Sequence, residues 1–550
     1  MQPVPGRTEW TSADQAVVLA ACMAAIRSGR RDVDVFLQAV AAADQLGRSD
    51  EAERLARAAT AAAPASWQAA YALAVILMRR RRLDEAVTAA MRLLDVLGDD
   101  PVPASVPALL SDIATLMKEA GRMEEAIALY RRAVDRAPGV AWIHSNLLLC
   151  LSYMPGIPKD ELLEAHKAFG RIYAHPVDPL AYPNDPDPDR RIRIGYVSPD
   201  FRRHVVAMMV EDLFRHHDSD LYEVFCYAEV ASPDAVTERL KGLVPHWRST
   251  VGLSDTDVVR MIRADRIDVL VDLAGHTAKN RLPVFGHKPA PRQVTWLGYP
   301  NTTGMPTIDC IGNFLPQDQV VELPVMMPVM TYHPPEDAPD PSPPPVLSRG
   351  SVTFGCFNNV AKLNDEVFAV WSRILHHVPD ALLLLKAVGF ADPEVCARAT
   401  AAFAARGISP ERLTFRGPSL RPDFMAEMAD IDVALDPFPY GGSTTTLDNL
   451  WMGVPVVALD PGSDPRVTSR WLLRDLGLDD LVRDDVDGYV EAAVALAADP
   501  ERLATLRRDL RPRMEGSPLR DGVRYAREVE VILRRIWRWW VWLVEQERKA

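Results

Sequence analysis

Three copies of one short pattern limit what the first third of this 550-residue chain can become. Gly47-Arg48-Ser49-Asp50-Glu51-Ala52 leads through Ala59 to Pro64. Arg82-Leu83-Asp84-Glu85-Ala86 follows, and Glu51 to Glu85 is one period of 34 residues. Gly121-Arg122-Met123-Glu124-Glu125-Ala126 then leads through Ala133 to Pro138. The step from Glu85 to Glu125 is 40 residues, and the Pro-containing stretch 99–105 accounts for the difference as a six-residue insertion. Between the copies the chain is rich in Ala, Leu and Arg, with apolar residues at helical spacing. A pair of such helices cannot bury its apolar face alone, so each pair has to stack on the next. The array is short: three repeats, or four with a degenerate pair near residues 14–46. The plainer alternative is an Ala-rich helical bundle.

After residue 172 the pattern changes. Residues 173–190 are rich in Pro and Asp, carry no periodicity and read as a linker. Apolar runs then alternate with helical patterns. Strands are expected at 192–197, 222–227, 267–273 and 293–297, with a helix at 256–264. Residues 332–350 hold seven prolines and mark a second linker. Beyond it the alternation resumes, with strands at 352–357, 381–385, 413–415, 431–435 and 454–459 and a helix at 365–377. Strand–helix alternation predicts parallel, doubly wound sheets. The expected domains are a helical repeat region at 1–172, one α/β lobe at 191–331 and a second at 351–550. Ligand then belongs at the carboxyl ends of the strands, between the lobes.

Residues 436–455 (DPFPYGGSTTTLDNLWMGVP) carry the most chemistry. They leave a buried strand, pass a Pro/Gly turn and enter a helix whose first turn holds Ser443, Thr444, Thr445 and Thr446. A helix N-terminus presents unpaired N–H groups and partial positive charge, which suit a phosphate. Asp448 sits one turn in, where a carboxylate can accept bonds from a ribose. The competing reading is an ordinary capped helix behind a loop.

The N-terminal period, with Gly at the turn, small residues at helix crossings and Pro at the end, resembles tetratricopeptide repeats. The segment 436–455 closely resembles the donor-binding loop of the SPINDLY / O-linked N-acetylglucosamine transferase family of glycosyltransferases. Two further blocks match in the same order. One runs from His276-Thr277-Ala278-Lys279-Asn280 to the Gln293–Gly304 stretch, and the other is Phe354-Gly355-Cys356-Phe357-Asn358-Asn359-Val360-Ala361-Lys362. The resemblance covers roughly residues 190–535. It implies the two-lobed arrangement called GT-B and transfer of a sugar from a nucleotide donor, without a metal and with inversion, to Ser or Thr of a protein held by the repeats.

The resemblance also distributes roles. Lys362 contacts the donor diphosphate, Asn359 lies nearby, and Ser443, Thr444, Thr445 and Asp448 complete the donor side. His204, after the first strand of the first lobe, faces the active site, as proton acceptor or as a positioning group. His276 and Thr277 are placed for the cleft. Tyr299, Asn301 and Thr302 fall on the acceptor or sugar side. Lys386, at a strand end, is a weaker candidate. Two departures stand out. Phe424 occupies a place where most relatives carry a His or Tyr near the nucleotide, and the polar segment after Cys310 is shortened. The wording around 301–304 and 442–446 is that of the SPINDLY branch, whose plant members use GDP-fucose, while Asp448 is the residue type of the UDP-GlcNAc branch. UDP-GlcNAc is the expected donor, GDP-fucose the alternative, and decoration of flagellin or another surface protein a variant of the same chemistry. A catalytically dead scaffold is the rival from another class. Transfer to a small molecule or lipid is disfavoured by the repeats.

Charge and cysteine usage narrow the classes further. A formal net charge of −13 argues against a nucleic-acid surface. The cysteines at 22, 150, 226, 310, 356 and 396 are scattered, with no CxxC pair or metal spacing. No Asp-x-Asp pair is placed at a strand end, so no metal and no other cofactor is expected. The first residues lack a basic segment followed by an apolar one, and no run approaches the ~20 apolar residues of a spanning helix, so cytoplasmic residence is expected. The aromatic stretch 536–543 reads as a terminal helix packed on the body, or as an interfacial or partner-binding tail.

Overall fold

The computed structural model describes residues 11–98, 103–178, 180–311, 330–335, 337–462 and 466–549. Part of the insertion read at 99–105, and nearly all of the shortened segment after Cys310, lie outside these residues. The chain packs as two compact units, which meet in sequence at Ile143 and His144. One holds the first helices, the other holds residues 144 onward together with Glu119–Gly121. The sequence boundary at 172 therefore falls inside the second unit.

Among its described residues the larger unit contains two six-stranded parallel sheets. The first is formed by β1 (Ile192–Ser198), β2 (Tyr222–Ala228), β3 (His246–Ser249), β4 (Val269–Asp272), β5 (Arg292–Thr295) and β6 (Cys310–Ile311), in the order β3-β2-β1-β4-β5-β6. The second is formed by β7 (Thr353–Cys356), β8 (Leu382–Lys386), β9 (Leu413–Arg416), β10 (Val433–Leu435), β11 (Val456–Leu459) and β12 (Val482–Arg483), in the order β12-β11-β10-β7-β8-β9. Counted from the first strand of each lobe, the two orders are the same Rossmann order. Each sheet reverses direction beside that strand. In the first lobe Ile194 of β1 faces Val269 of β4, and in the second Gly355 of β7 faces Ala434 of β10. Ligands of open α/β sheets bind at this reversal.

The inner strands are buried on both faces and read as continuous apolar runs, which is why the sequence reveals them. The strands β3, β6 and β12 were not anticipated. They are edge strands of two to four residues, and His246-Trp247-Arg248-Ser249 is half exposed, so no apolar run announces them. The expected assignment of residues 351–550 to the second lobe also needs correction. The last helix, Gly522–Lys549, returns to the first lobe and shares its core. Glu530 accepts from the Asp218 amide at 2.7 Å and lies 3.1 Å from His217 Nδ1. Trp537 donates to the Asp187 carbonyl at 3.0 Å. Trp537 and Trp540 are buried and stacked, and Arg292 lies over the Trp539 ring, so the aromatic stretch is mostly core; Trp542 stays exposed.

The smaller unit is helical among its described residues. Ser12–Arg27 and Val33–Gln45 precede Ser49–Ala62, Trp67–Arg79, Leu83–Leu97, Ser105–Glu119 and Met123–Arg136. Alanines at the crossings, such as Ala52, Ala59, Ala86, Ala126 and Ala133, are fully buried and let the backbones approach. The Arg after the turn residue bridges successive repeats at two of the three turns. Arg82 donates to Glu53 of the preceding repeat at 2.5 Å, and Arg122 pairs with Asp84 at 2.6 Å and with its own Glu125 at 2.5 Å.

The turn itself is left-handed. Gly47 has φ +70° and Gly121 φ +74°, and between them the same position is Arg81, at φ +56°. A side chain in that region costs roughly 1–2 kcal/mol, while glycine there costs only its unfolded-state entropy. Arg81 is exposed. Arg81→Gly is therefore expected to stabilise the repeat unit by about 0.5–1 kcal/mol, seen as slower amide exchange in Leu83–Leu97; unchanged or faster exchange would contradict the strain.

Candidate active site

The second lobe builds its site from the two strands that flank the reversal. β7 ends at Cys356 and runs through Asn358 and Asn359 into a short 3-10 turn, Val360–Lys362. β10 ends at Leu435 and runs through Asp436 and the Gly441-Gly442 pair into the helix Thr444–Trp451. Lys362 joins the two. Its Nζ donates to the Gly441 carbonyl at 2.7 Å and to Asn358 Oδ1 at 3.0 Å, and lies 4.9 Å from the centre of the Tyr440 ring. Burial lowers the ammonium to about 8, while Asp436 pulls the other way.

Asp436 shapes the loop. One carboxylate oxygen accepts from the Gly442 amide at 2.7 Å and the other from Ser469 Oγ at 2.6 Å. Burial raises its pKa, against Ser469 and the Lys362 charge. The glycines are needed for this closure: a Cβ on Gly441 would sit 2.6 Å from Asp436, and one on Gly442 would sit 2.7 Å from Thr446 Oγ1. The helix then begins with no side-chain cap from Ser443. Its first-turn N–H groups keep the anion-accepting character of an uncapped terminus, beside a lysine ammonium. Ser443, Thr444 and Thr445 are half-buried there.

Other expected donor residues are placed differently. Asn359 is exposed, and its side chain caps the 3-10 turn by accepting from the Ala361 amide at 3.0 Å; its neighbour Asn358 is the one that meets Lys362. Asp448 is buried and already engaged. It accepts from both terminal nitrogens of Arg421, at 2.6 and 2.5 Å, and from the Tyr332 hydroxyl at 2.8 Å. Burial raises its pKa and Arg421 opposes that. Phe424 packs edge-on against Phe357, with Arg421 and Lys386 over its ring. Lys386 is structural: its ammonium donates to Glu427 at 2.9 Å and to the Gly417 carbonyl at 2.7 Å.

In the first lobe β1 delivers Asp200 and His204. His204 caps the helix Val205–His216, its Nδ1 accepting from the Val206 amide at 3.3 Å, and it stands 3.6 Å from Asp200. With Nδ1 so used, the neutral ring carries its proton on Nε2 and is a donor. Burial pushes the Asp200 carboxyl up and the His204 imidazole down, against their mutual attraction.

His276 requires a correction. It follows β4 as expected, but it is fully buried, not facing an open cleft. Its Nε2 meets the Thr303 carbonyl at 3.0 Å and its Nδ1 meets Ser145 Oγ at 3.0 Å. The carbonyl can only accept, so Nε2 holds the proton and Nδ1 takes the Ser145 hydrogen. No lone pair is left for a substrate. Tyr299 is likewise interior: its hydroxyl lies 2.7 Å from Ser152 Oγ and 2.7 Å from His166 Nε2. Thr277 bonds back to the Ala274 carbonyl at 2.8 Å. Asn301 accepts from the Thr302 amide, and Thr302 Oγ1 from the Gly304 amide, so both shape their own turn. That turn lies against the helix Lys159–Tyr173: a Cβ on Gly304 would come within 1.8 Å of the His166 carbonyl.

Sequence reasoning missed Asn358, Asp436, Arg421 and Tyr332. Asp436 and Asn358 carried a signal, since each lies just beyond a strand flanking the reversal. Arg421 and Tyr332 had none, because their link to Asp448 spans 27 and 116 residues. Among the described residues no group of three or more His, Cys, Asp or Glu side chains converges as a metal site, and no helix is long and apolar enough to cross a membrane.

Comparison with known proteins decides the family. The profile of glycosyl transferase family 41 matches residues 132–320 and 346–529, more than half of the chain. The chain belongs to this family. A tetratricopeptide-repeat profile matches residues 37–101. A tomato (Solanum lycopersicum) relative, a probable UDP-N-acetylglucosamine–peptide N-acetylglucosaminyltransferase SPINDLY, is 40% identical over 408 residues, covering 72% of this chain and 44% of its own. An Arabidopsis thaliana relative of the same description, SEC, is 30% identical over 366 residues, covering 63% of this chain and 37% of its own. The chain thus spans less than half the length of these curated relatives. Among solved structures, a lysine-to-methionine mutant of the Thermobaculum terrenum O-GlcNAc transferase superposes with a TM-score of 0.78 at 33% identity, covering 98% of this chain and 100% of that one.

In this family 41 chain the buried histidines are a structural liability with a definite sign. Burial lowers His166 to about 4 and His276 well below its ordinary value. The fold favours neutral rings, so their contribution is whole above about pH 6.5 and is lost as pH falls from there towards 4. For His166 the full window is worth on the order of 3 kcal/mol. Denaturant midpoints are expected to drop between pH 7 and pH 5, and to drop less in His166→Gln; equal midpoints at the two pH values would contradict the buried-neutral assignment.

Proposed function

We propose that the protein transfers N-acetylglucosamine from UDP-GlcNAc to Ser or Thr hydroxyls of a protein acceptor, in the cytoplasm, without a metal and with inversion. The observation that carries this reading is the junction of Lys362 with the Gly441 carbonyl, at the mouth of an uncapped, hydroxyl-rich helix. A cation and a helix N-terminus aimed at one point suit a leaving diphosphate. Membership of family 41 and the descriptions of the relatives support the donor and the acceptor class.

The chemistry follows from these parts. The acceptor hydroxyl oxygen attacks the anomeric carbon from the face opposite the diphosphate, and its proton passes to solvent water. The carbon–oxygen bond to the β-phosphate breaks, and negative charge develops on the departing UDP. Lys362, Thr444, Thr445 and the first-turn amides meet that charge. His204, with Nε2–H exposed towards solvent, serves as a donor that positions a sugar or acceptor oxygen. The neutral, doubly bonded His276 holds the loop from which Tyr299 and the 301–304 turn depart. The tetratricopeptide repeats are assigned to holding the acceptor protein.

Lys362→Ala is expected to cut turnover at least a hundredfold in a protein that still folds, at a lowered melting temperature because Gly441 and Asp436 lose their partner. Near-wild-type turnover would remove Lys362 from the mechanism. Calorimetry should show tight UDP binding with or without magnesium. Tight binding of GDP alone would transfer the reading to GDP-fucose, and binding of neither nucleotide would favour a scaffold. The ammonium form is the one that attracts a diphosphate, and it predominates below about pH 8. UDP affinity is therefore expected to be flat between about pH 7 and that pH and to fall above it; a rise above pH 8 would contradict the assigned role.

A further inference from the structure

We propose that a cavity of about 400 Å³ beside the end of the donor helix is a second binding site, for a small molecule that presents an oxyanion on an apolar body. It is open to solvent on one side and lined by His333, Pro334 and Pro335 of the linker together with Trp451, Arg511 and Arg520. Trp451 is the last residue of the helix Thr444–Trp451.

The two arginines differ in a way that defines the ligand. Every nitrogen of the Arg511 guanidinium is engaged: Nε with the Trp451 carbonyl at 3.0 Å, Nη1 with Asp340 at 3.1 Å and Nη2 with the Pro339 carbonyl at 2.5 Å. Towards the described residues Arg520 uses only Nη1, which donates to the Tyr332 carbonyl at 2.6 Å and to His333 Nδ1 at 3.2 Å. Among the described residues no carboxylate pairs with Arg520, although it is half-buried. The acid that reaches this wall, Asp212, is held by His333 at 2.5 Å. A guanidinium partly withdrawn from water with no carboxylate on it among the described residues is uncommon in a folded protein. The edge left open carries Nε and Nη2, whose parallel N–H bonds match a carboxylate or phosphate in bidentate fashion. Arg511 and Arg520 lie 4.8 and 5.6 Å from the centre of the Trp451 ring, which holds both forks over one aromatic surface. The prolines and the indole supply the apolar contact.

The site is joined to the donor helix. Trp451 lies three residues beyond Asp448, and Tyr332, whose carbonyl holds Arg520, gives its hydroxyl to Asp448 at 2.8 Å. An anion on Arg520 is felt at Asp448 through these bonds, and donor binding at Asp448 must be felt in the cavity to the same degree. This coupling rests on the donor-site reading; the binding site itself does not.

Calorimetry of the purified protein with benzoate and with phenyl phosphate tests the site without any nucleotide. One saturable site is expected, the tighter probe naming the oxyanion, with affinity at least tenfold lower in Arg520→Gln. Ala338→Phe fills the cavity from a lining position and leaves the bonds above in place, so it is expected to abolish binding. Equal affinity in the wild type and Ala338→Phe, or no saturable heat with either probe, overturns the proposal. A saturating probe is further expected to shift UDP affinity at least threefold in the wild type and not in Ala338→Phe. An unchanged UDP affinity overturns the coupling, and a protein that binds probe but no nucleotide overturns the donor reading alone.

Discussion

The contact between the Lys362 ammonium and the Gly441 carbonyl ties together the two strands beside which the second sheet reverses. Each arrives from a different strand end, β7 and β10, and neither segment would hold its course alone. The lysine fixes the start of the glycine turn, Asp436 fixes its close, and the helix Thr444–Trp451 is aimed by the result. A charge half removed from water needs partners, and the carbonyl, the Asn358 side chain and the Asp436 field provide them. The same withdrawal weakens the ammonium to about 8. The course of the glycine turn and the lowered ammonium therefore have one source, the burial of Lys362 against Gly441.

What was legible in the sequence follows the strength of local periodicity. Residues 365–377 were expected as a helix and form one with the same bounds, because an Asn364 cap and an amphipathic stripe define it locally. The buried strands around Val271, Phe354 and Val457 showed themselves as apolar runs. The strand order could not be read, since parallel pairing joins residues far apart and leaves no short-range pattern. The boundary at 172 misled for a related reason. Residues 141–173 continue the helical pattern of the repeats, but Ser145, Ser152 and His166 bond to His276 and Tyr299 and bind those helices into the α/β unit. Arg81 shows the converse case: the repeat was found although its turn glycine is missing.

The candidate site was half legible. Lys362 and Ser443-Thr444-Thr445 occupy one locality because each follows a strand at the reversal, and strand-end position is a sequence-readable property. His276 shares that position and has a different fate. What distinguishes it is the number of hydrogen-bonding partners packed around it, a property set by Ser145 and Thr303 from distant parts of the chain. A histidine after a strand is thus free to act only when its ring nitrogens are not both required by the fold. His204, with one nitrogen capping a helix and the other exposed, meets that condition in part.

Asp448 raises the sharper question of how a buried carboxylate stays ready for a ligand. In a site this dry an unpaired carboxylate would take up a proton, and a protonated acid accepts ribose hydroxyls poorly. Arg421 keeps it charged by bidentate pairing, and Tyr332 satisfies a further lone pair. In the donor role proposed above, a ribose has to share or replace these donors. Arg421 is only 36% exposed at its side chain, so part of its own hydration is already lost before the exchange. The clamp therefore favours the ionised acid against the burial that opposes it.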